Sequence, residues 1–124
     1  MSNRWSVRII LALLLPVVLV ATLVPATKMQ QYLYGKWHQE RAPYVTETVF
    51  KQDSTFTSIT VQKGAAYRLY VEGTWEIRGT NELWMEWKYW EPRDLRKPLP
   101  EGTPVQVIDH NHFRNKLGDV YRVQ

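Results

Sequence analysis

The pattern of apolar and polar positions divides the 124-residue chain into two parts. Residues 9–27 carry no charge, and Leu, Ile, Val and Ala dominate this stretch. After Lys28 the pattern changes to an alternation with a period of two, which is typical of β-strands with one buried face. The sequence therefore predicts an N-terminal segment, 1–27, followed by a β-rich domain, 28–124.

The clearest strand pair is predicted within residues 67–91. The polar positions here are mostly even-numbered, and Gly79-Thr80-Asn81 supplies a turn between the two strands. Gly73 interrupts the first strand and indicates a bend or bulge. The odd-numbered apolar residues are Tyr67, Leu69, Val71, Trp75, Ile77, Leu83, Met85, Trp87 and Tyr89. We expect this odd-numbered face to pack against the core.

Trp84 and Trp90 occupy even-numbered positions, which predicts that they lie together on the opposite face of this hairpin. One interpretation is that they pack under the proline-rich segment that follows or against the N-terminal segment. The other is that they form an exposed aromatic surface for a partner, because a contiguous exposed apolar patch usually has a function.

The remaining strands are shorter. They are predicted at about 32–40, 44–52, 55–63, 105–110 and 119–124. Four prolines between residues 91 and 104 predict a loop over one end of the sheet, and residues 111–117 predict a short helical turn. Seven or eight short strands separated by regular turn signals favour an all-β fold, a small antiparallel barrel or a sandwich.

The N-terminal segment has the order of an export signal. Arg4 and Arg8 precede the apolar stretch, and 19 uncharged positions, 9–27, come close to the ~20 residues that span a bilayer. The pattern predicts an uncleaved signal-anchor helix in the inner (cytoplasmic) membrane, with the domain in the periplasm or outside. The alternative is cleavage near Ala26, which would release a secreted or periplasmic domain.

Composition and charge exclude several classes of function. Two of the 16 basic residues precede the apolar stretch, which leaves fourteen against twelve acidic residues in the domain and no polybasic run. Nucleic acid is therefore not an expected partner. With no cysteine, the chain has no disulfide, thiolate metal site or thiol nucleophile.

No set of residues argues for catalysis. His110 and His112 have a spacing that metal ligands use, but His38 is the only other histidine and Asp109 would point to the opposite strand face. The glutamates of the predicted hairpin alternate with its apolar face, and no Gly-x-Ser-x-Gly turn is present. We expect no enzyme activity, no metal site and no cofactor.

Four short motifs follow one another in the domain. They are Gly35-Lys36-Trp37, the Phe50–Phe56 segment, Gly73-Thr74-Trp75-Glu76-Ile77 and Val120-Tyr121-Arg122. Their order and spacing resemble the small bacterial lipocalin-like domains, with Ser54 where these domains usually have glycine.

The resemblance implies a lipocalin-like barrel of about seven or eight short strands. The Gly35-x-Trp37 motif would place the ring of Trp37 at the floor of this barrel, and Arg122 would lie across that ring. Such a cation–π contact contributes about 0.5–2 kcal/mol. Because the domain is short for this family, we expect any internal cavity to be shallow or filled by aromatic side chains.

These observations favour a non-enzymatic module held outside the membrane, serving as an accessory subunit or interaction domain of a larger membrane complex. A first alternative is a barrel that binds a small apolar or amphipathic ligand. The candidate lining, or else filled core, is Leu69, Val71, Trp75, Leu83, Met85 and Trp87. A second alternative is an OB-like barrel that stacks an oligosaccharide on Tyr70, Trp84 and Trp90.

Overall fold

The computed structural model describes residues 26–124, which form a nearly closed antiparallel β-barrel preceded by one short helix. The part of the predicted membrane segment that precedes residue 26 lies outside the described residues. Within the described range, no helix has the length and apolar content needed to cross a bilayer.

The barrel has nine strands. The helix is α1 (Lys28–Leu33), and the strands are β1 (Gly35–Arg41), β2 (Tyr44–Phe50), β3 (Thr55–Gln62), β4 (Arg68–Arg78), β5 (Glu82–Glu91), β6 (Gly102–Pro104), β7 (Gln106–Asp109), β8 (His112–Asn115) and β9 (Gly118–Arg122). The order of neighbours in the sheet is β6-β5-β4-β3-β2-β1-β9-β8-β7.

The two edge strands of this order are consecutive in the chain. Only the buried Val105 separates β6, which pairs with β5, from β7, which pairs with β8. The Val105 N–H donates to the carbonyl of Asn81 in the β4–β5 turn at 2.9 Å. One segment of chain thus joins both edges of the sheet and nearly closes the barrel.

The predicted first strand, 32–40, is wrong at its N-terminal end, where α1 occupies residues up to Leu33. A capping box starts this helix: the Gln30 N–H donates to the Thr27 hydroxyl at 3.1 Å, and the Thr27 N–H donates to the Gln30 side chain at 2.7 Å. Leu33 is fully buried. The helix therefore covers the end of the barrel from which β1 starts.

The predicted helical turn at 111–117 is also wrong. Residues His112–Asn115 form β8, which pairs with β9 so that Phe113 lies opposite Val120, both buried. The Asn115 side-chain oxygen accepts the Leu117 N–H at 2.9 Å, and Gly118 adopts a φ of +123°, which favours glycine. This side-chain hydrogen bond and the glycine make a tight turn between two strands, and cross-strand burial outweighs local helix propensity.

Gly73 marks the bulge that its position predicted. The β4–β5 register shifts at this point: Glu72 lies opposite Tyr89, but Gly73 lies opposite Trp87, which leaves Lys88 as the extra residue of β5. A Cβ atom at Gly73 would collide with the Glu86 carbonyl oxygen, so the two strands approach too closely for any larger residue.

The bulge reverses the alternation of β5. Beyond Lys88, Trp90 lies opposite the buried Val71 and packs against the core, whereas Tyr89 is exposed. The predictions that Trp90 shares the face of Trp84 and that Tyr89 faces the core are both wrong. An extra residue shifts a period-two pattern by one position, and every side chain after it changes face.

Half of the ten buried side chains of the core are aromatic. The ten are Leu33, Trp37, Phe50, Phe56, Val71, Trp75, Leu83, Val105, Phe113 and Val120.

Candidate functional site

The covered end of the barrel is built around Trp37. Its side chain is 1% exposed, and its indole N–H donates to the Leu33 carbonyl of α1 at 2.8 Å. The rings of Phe113 and Tyr32 lie with their centroids 4.8 and 5.4 Å from that of Trp37. Strand β1, strand β8 and helix α1 thus meet on a single indole ring.

Arg122 lies over the same ring. Its guanidinium carbon is 4.2 Å from the centroid of Trp37, and its N–H groups donate to the carbonyls of Tyr32 at 2.7 Å, Tyr34 at 3.0 Å and His110 at 3.1–3.2 Å. A Cβ atom on Gly35 would lie 3.4 Å from this guanidinium. The arginine therefore ties β9 to the end of α1 and to the loop before β8, and the small residue leaves room for it.

A cavity of about 240 Å³ lies next to Trp37 inside the barrel. Most of its surface is apolar. The apolar side chains that line it are Trp37, Phe50, Leu83, Met85, Phe113, Leu117 and Val120. The cavity is partly open to solvent, with the exposed Leu117 among its lining residues.

Neutral polar side chains form the other wall of the cavity. Strands β2 and β3 contribute Thr46, Thr48 and Ser58, while Gln39 and Asn115 come from β1 and β8. The Thr48 hydroxyl donates to Ser58 at 3.4 Å, and the Gln39 side-chain N–H donates to the Asn115 side-chain oxygen at 3.1 Å. Thr48 and Ser58 are cross-strand partners, whereas the bond from Gln39 to Asn115 links β1 with β8 across the intervening β9.

Thr46 is held in the same way by the hydroxyl of Thr60, at 2.9 Å on β3. No buried side-chain nitrogen or oxygen within residues 26–124 lacks a hydrogen-bond partner. The polar wall is therefore already organised within the barrel.

Two opposite charges lie at the rim of the cavity. Glu101, at the end of the proline-rich loop, forms an ion pair with Lys116 in the β8–β9 turn, and both side chains line the cavity. Both are half exposed, so their charges are screened by solvent. The ion pair links the two segments of chain beside the entrance.

The structure separates the predicted lining residues into two groups. Leu83 and Met85 line the cavity. Val71 and Trp75 are buried in the core, and Leu69 and Trp87 are partly buried against it. The polar wall was not predicted, because an alternating pattern places the apolar positions of a strand in the interior and its polar positions outside. The sequence does contain a signal for this wall, because hydroxyl residues occupy alternate positions of two successive strands. They are Thr46 and Thr48 on β2 and Ser58 and Thr60 on β3.

The two candidate partner tryptophans do not form one surface. Trp84 lies on the outer face, with the Arg78 guanidinium 3.9 Å from its ring centroid and its indole N–H donating to the Glu82 carboxylate. Trp90 packs against the core on the other face, and its indole N–H donates to the Leu95 carbonyl at 2.9 Å. Trp90 therefore anchors the proline-rich loop to β5.

The histidines lie outside the cavity. The His112 ring is 2.9 Å from a carboxylate oxygen of Asp119 and stacks on Tyr121, with ring centroids 4.4 Å apart. The hydrogen bonds from His112, and then from Arg114, hold the pKa of the Asp119 carboxyl below its ordinary value of 3.8. Within residues 26–124, no cluster of three histidine or acidic side chains has a geometry that could hold a metal ion.

A second exposed cluster surrounds His38 on β1. Its two ring nitrogens lie 3.2 Å from Glu47 and 3.3 Å from Glu40. The hydrogen bond to His38, followed by that to Lys36, lowers the pKa of Glu47 from its ordinary 4.5. The pKa of the Glu40 carboxyl is lowered in the same way, first by its hydrogen bond to His38 and then by the charge of Lys63. These groups form an ion-pair network on the outer surface of the barrel.

Comparisons of the chain with known protein families and with curated proteins gave no match.

Proposed function

We propose that this domain is a non-enzymatic, lipocalin-like barrel that binds a small apolar or amphipathic molecule in its interior. The observation that carries the proposal is the cavity of about 240 Å³ beside Trp37, with an apolar floor and a wall of hydroxyl and amide groups. Ligand sites in proteins combine apolar surface with a few well-placed polar groups in this way.

The chemistry of the lining supports binding rather than catalysis. Its polar groups are neutral except for Glu101 and Lys116, which pair with each other at the rim. The hydroxyls of Thr46, Thr48 and Ser58 are bonded to other hydroxyls, not to a base that would activate them as nucleophiles. Such a wall orients a ligand without attacking it.

Native mass spectrometry of the full chain, extracted from its own membranes in mild detergent, tests this function. We expect the mass of the chain plus a small molecule. The spectrum is recorded under gentle conditions that preserve a known complex. Detection of the bare chain alone would argue against a bound ligand. Detection of the chain with a second protein would favour the second candidate function given below.

A matched pair of variants ties the bound molecule to the cavity. Ser58→Phe places a ring in the cavity, whereas Thr57→Phe places the same ring on the outer face of β3, where Thr57 lies opposite Val49 and Glu72. We expect the small molecule to be lost from Ser58→Phe and kept by Thr57→Phe. Retention in both variants would exclude the cavity as the site.

A second candidate function is an accessory subunit or interaction domain of a membrane complex, anchored by residues 9–27. The outer face of β3 supports it, since Ile59 and Val61 are 36% and 38% exposed and Val61 lies opposite Val45 on β2. A photo-crosslinking residue at 61 should then capture a neighbouring protein in intact cells, while one at Asp94 on the proline-rich loop should not. Equal capture at both positions would contradict a specific interface.

A further inference from the structure

Resting on the function proposed above, we infer that the ligand is an uncharged molecule with one hydrogen-bonding group and an apolar body. The geometry points to a fixed orientation, with the apolar body against Trp37 and Phe113 and the polar group on the Thr48–Ser58 wall. Three independent properties support this inference: the volume of the cavity, the charged side chains around it, and the hydrogen bonds that its polar wall can form.

The volume limits the size of the ligand. An apolar cavity of about 150 Å³ holds a benzene molecule. The cavity here, about 240 Å³, accordingly takes a ligand of roughly ten non-hydrogen atoms. This is the size of a single ring with a short substituent, and it excludes long-chain lipids as fully enclosed ligands.

The charges around the cavity leave an ionised ligand of either sign without a free partner, since Glu101, the acidic residue of the lining, is paired with Lys116. A buried carboxylate needs a cationic partner, because burial of an unpaired charge is very unfavourable. Arg122 is near the floor, but its guanidinium stacks on Trp37 and already donates to three backbone carbonyls. Lys116, at the rim, is paired with Glu101. Both cations that lie near the cavity are thus engaged within the protein.

The polar wall suits a neutral group that both donates and accepts hydrogen bonds. In the Thr48–Ser58 pair, the Thr48 hydroxyl is the donor, so the Ser58 hydroxyl proton remains to donate to a ligand. Asn115 accepts hydrogen bonds through its side-chain oxygen from Gln39 and from the Leu117 N–H, and its NH₂ group is a second donor. An alcohol, phenol or primary amide matches these groups.

The position of these groups sets the orientation. The hydroxyls lie on β2 and β3, and the buried rings of Phe113 and Trp37 lie on β8 and β1. A ligand that meets both sets has its apolar body on the aromatic floor and its polar group on the β2–β3 wall. Burial of the body supplies affinity, and the hydrogen bonds supply selectivity.

The test compares three probes of nearly equal shape: 2-phenylacetamide, 2-phenylethanol and phenylacetate. The full chain in lipid nanodiscs is titrated with each probe by calorimetry, and empty nanodiscs provide the blank. We expect the amide and the alcohol to bind at least tenfold more tightly than the carboxylate, which is ionised at neutral pH.

The variant Ser58→Ala removes the hydroxyl that donates to the ligand and changes the lining by one oxygen atom only. It should weaken binding of the amide about three- to tenfold, since one hydrogen bond contributes about 0.5–1.5 kcal/mol. Its matched control is Thr57→Val, on the outer face of β3, which should bind as the natural chain does.

The outcomes separate this inference from the proposed function. Binding of phenylacetate as tight as that of the amide, or a Ser58→Ala variant that binds normally, overturns the inference and leaves a ligand-binding barrel standing. Failure of all three probes to bind overturns the inference, and the proposed function falls with it if the native mass spectrum also shows the bare chain.

Discussion

At the scale of single residues, Trp37 and Arg122 connect most of the structure at the covered end of the barrel. The indole packs against rings from α1 and β8 and donates to the Leu33 carbonyl, while the guanidinium covers its face and donates to carbonyls on both sides. Because the two side chains share these contacts, replacement of either should weaken the packing of α1, β8 and β9 together.

Replacement of Trp37 by alanine should lower the free energy of unfolding by about 3–5 kcal/mol, the usual loss for a buried tryptophan. Urea denaturation followed by circular dichroism measures it. The control is Trp84→Ala, which removes the same ring from the outer face and should cost much less. A loss below about 1 kcal/mol at Trp37 would mean that the ring does not support the barrel floor.

Arg122→Met retains most of the stem that packs on Trp37 and removes every hydrogen bond of the guanidinium. We expect a loss of about 2–3 kcal/mol, because carbonyls of Tyr32 and Tyr34 lose their charged donor. Arg114→Met is the matched control, since Arg114 pairs with Asp119 at a half-exposed position. Equal losses in the two variants would show that the bonds to α1 contribute little.

At the scale of elements, the bulge in β5 decides which side chains face the interior. It places Trp90 opposite Val71, packed against the core, and leaves Trp84 on the outside under Arg78. The same strand therefore carries one tryptophan that fastens the proline-rich loop and one that lies at the surface.

The variant Trp90→Ser should accordingly be more destabilised than Trp84→Ser. We expect a difference of about 2 kcal/mol, since only Trp90 leaves a gap in packed surroundings. Thermal unfolding of both variants in parallel measures it. If Trp84→Ser proves the more damaging, the register of β5 beyond Lys88 is not the one described.

At the scale of the whole molecule, ion pairs within and between strands lie on the outer surface of the barrel. The carboxyls of Asp119, Glu47 and Glu40 each have a lowered pKa, with hydrogen bonds from histidine as the first cause. A carboxyl whose pKa is lower in the folded than in the unfolded chain stabilises the fold above its unfolded pKa. That stabilisation is lost as the pH falls through the folded pKa.

Stability should therefore decline on the acid side, below the ordinary carboxyl values of 3.8 for Asp119 and 4.5 for Glu47. Urea midpoints measured from neutral pH down to about pH 3 test this. The double variant Asp119→Asn, Glu47→Gln should show a shallower decline, whereas Asp94→Asn, on the exposed loop, should follow the natural chain. A double variant with an unchanged acid slope would contradict the assignment.

Removal of residues 1–25 tests the proposed anchor. The remaining chain keeps Thr27, which caps α1, together with every described element, so we expect it to fold. We also expect it to leave the membrane fraction, as measured by cell fractionation and immunoblotting. A truncated chain that stays with the membrane would show that the domain itself holds it there.

The sequence alone determined the class of fold and most of its strands. Alternation in β4 and in β5 up to Trp87, the turn at Gly79-Thr80-Asn81 and the bulge at Gly73 are local features, because backbone geometry and a period of two decide them. Trp37 and Arg122 could be named as candidates from the spacing of short motifs.

Only the tertiary structure decided where the interior lies and what it contains. Strand β8 could not be predicted, because cross-strand burial of Phe113 outweighed the local pattern there. The start of α1 differs in this respect, since the capping box of Thr27 and Gln30 is a local signal in the sequence. One extra residue, Lys88, reversed the face of Trp90. Closure of the barrel turns alternate residues of every strand inward, whether they are apolar or polar. The hydroxyl residues of β2 and β3 therefore line a cavity where core side chains do not fill the interior.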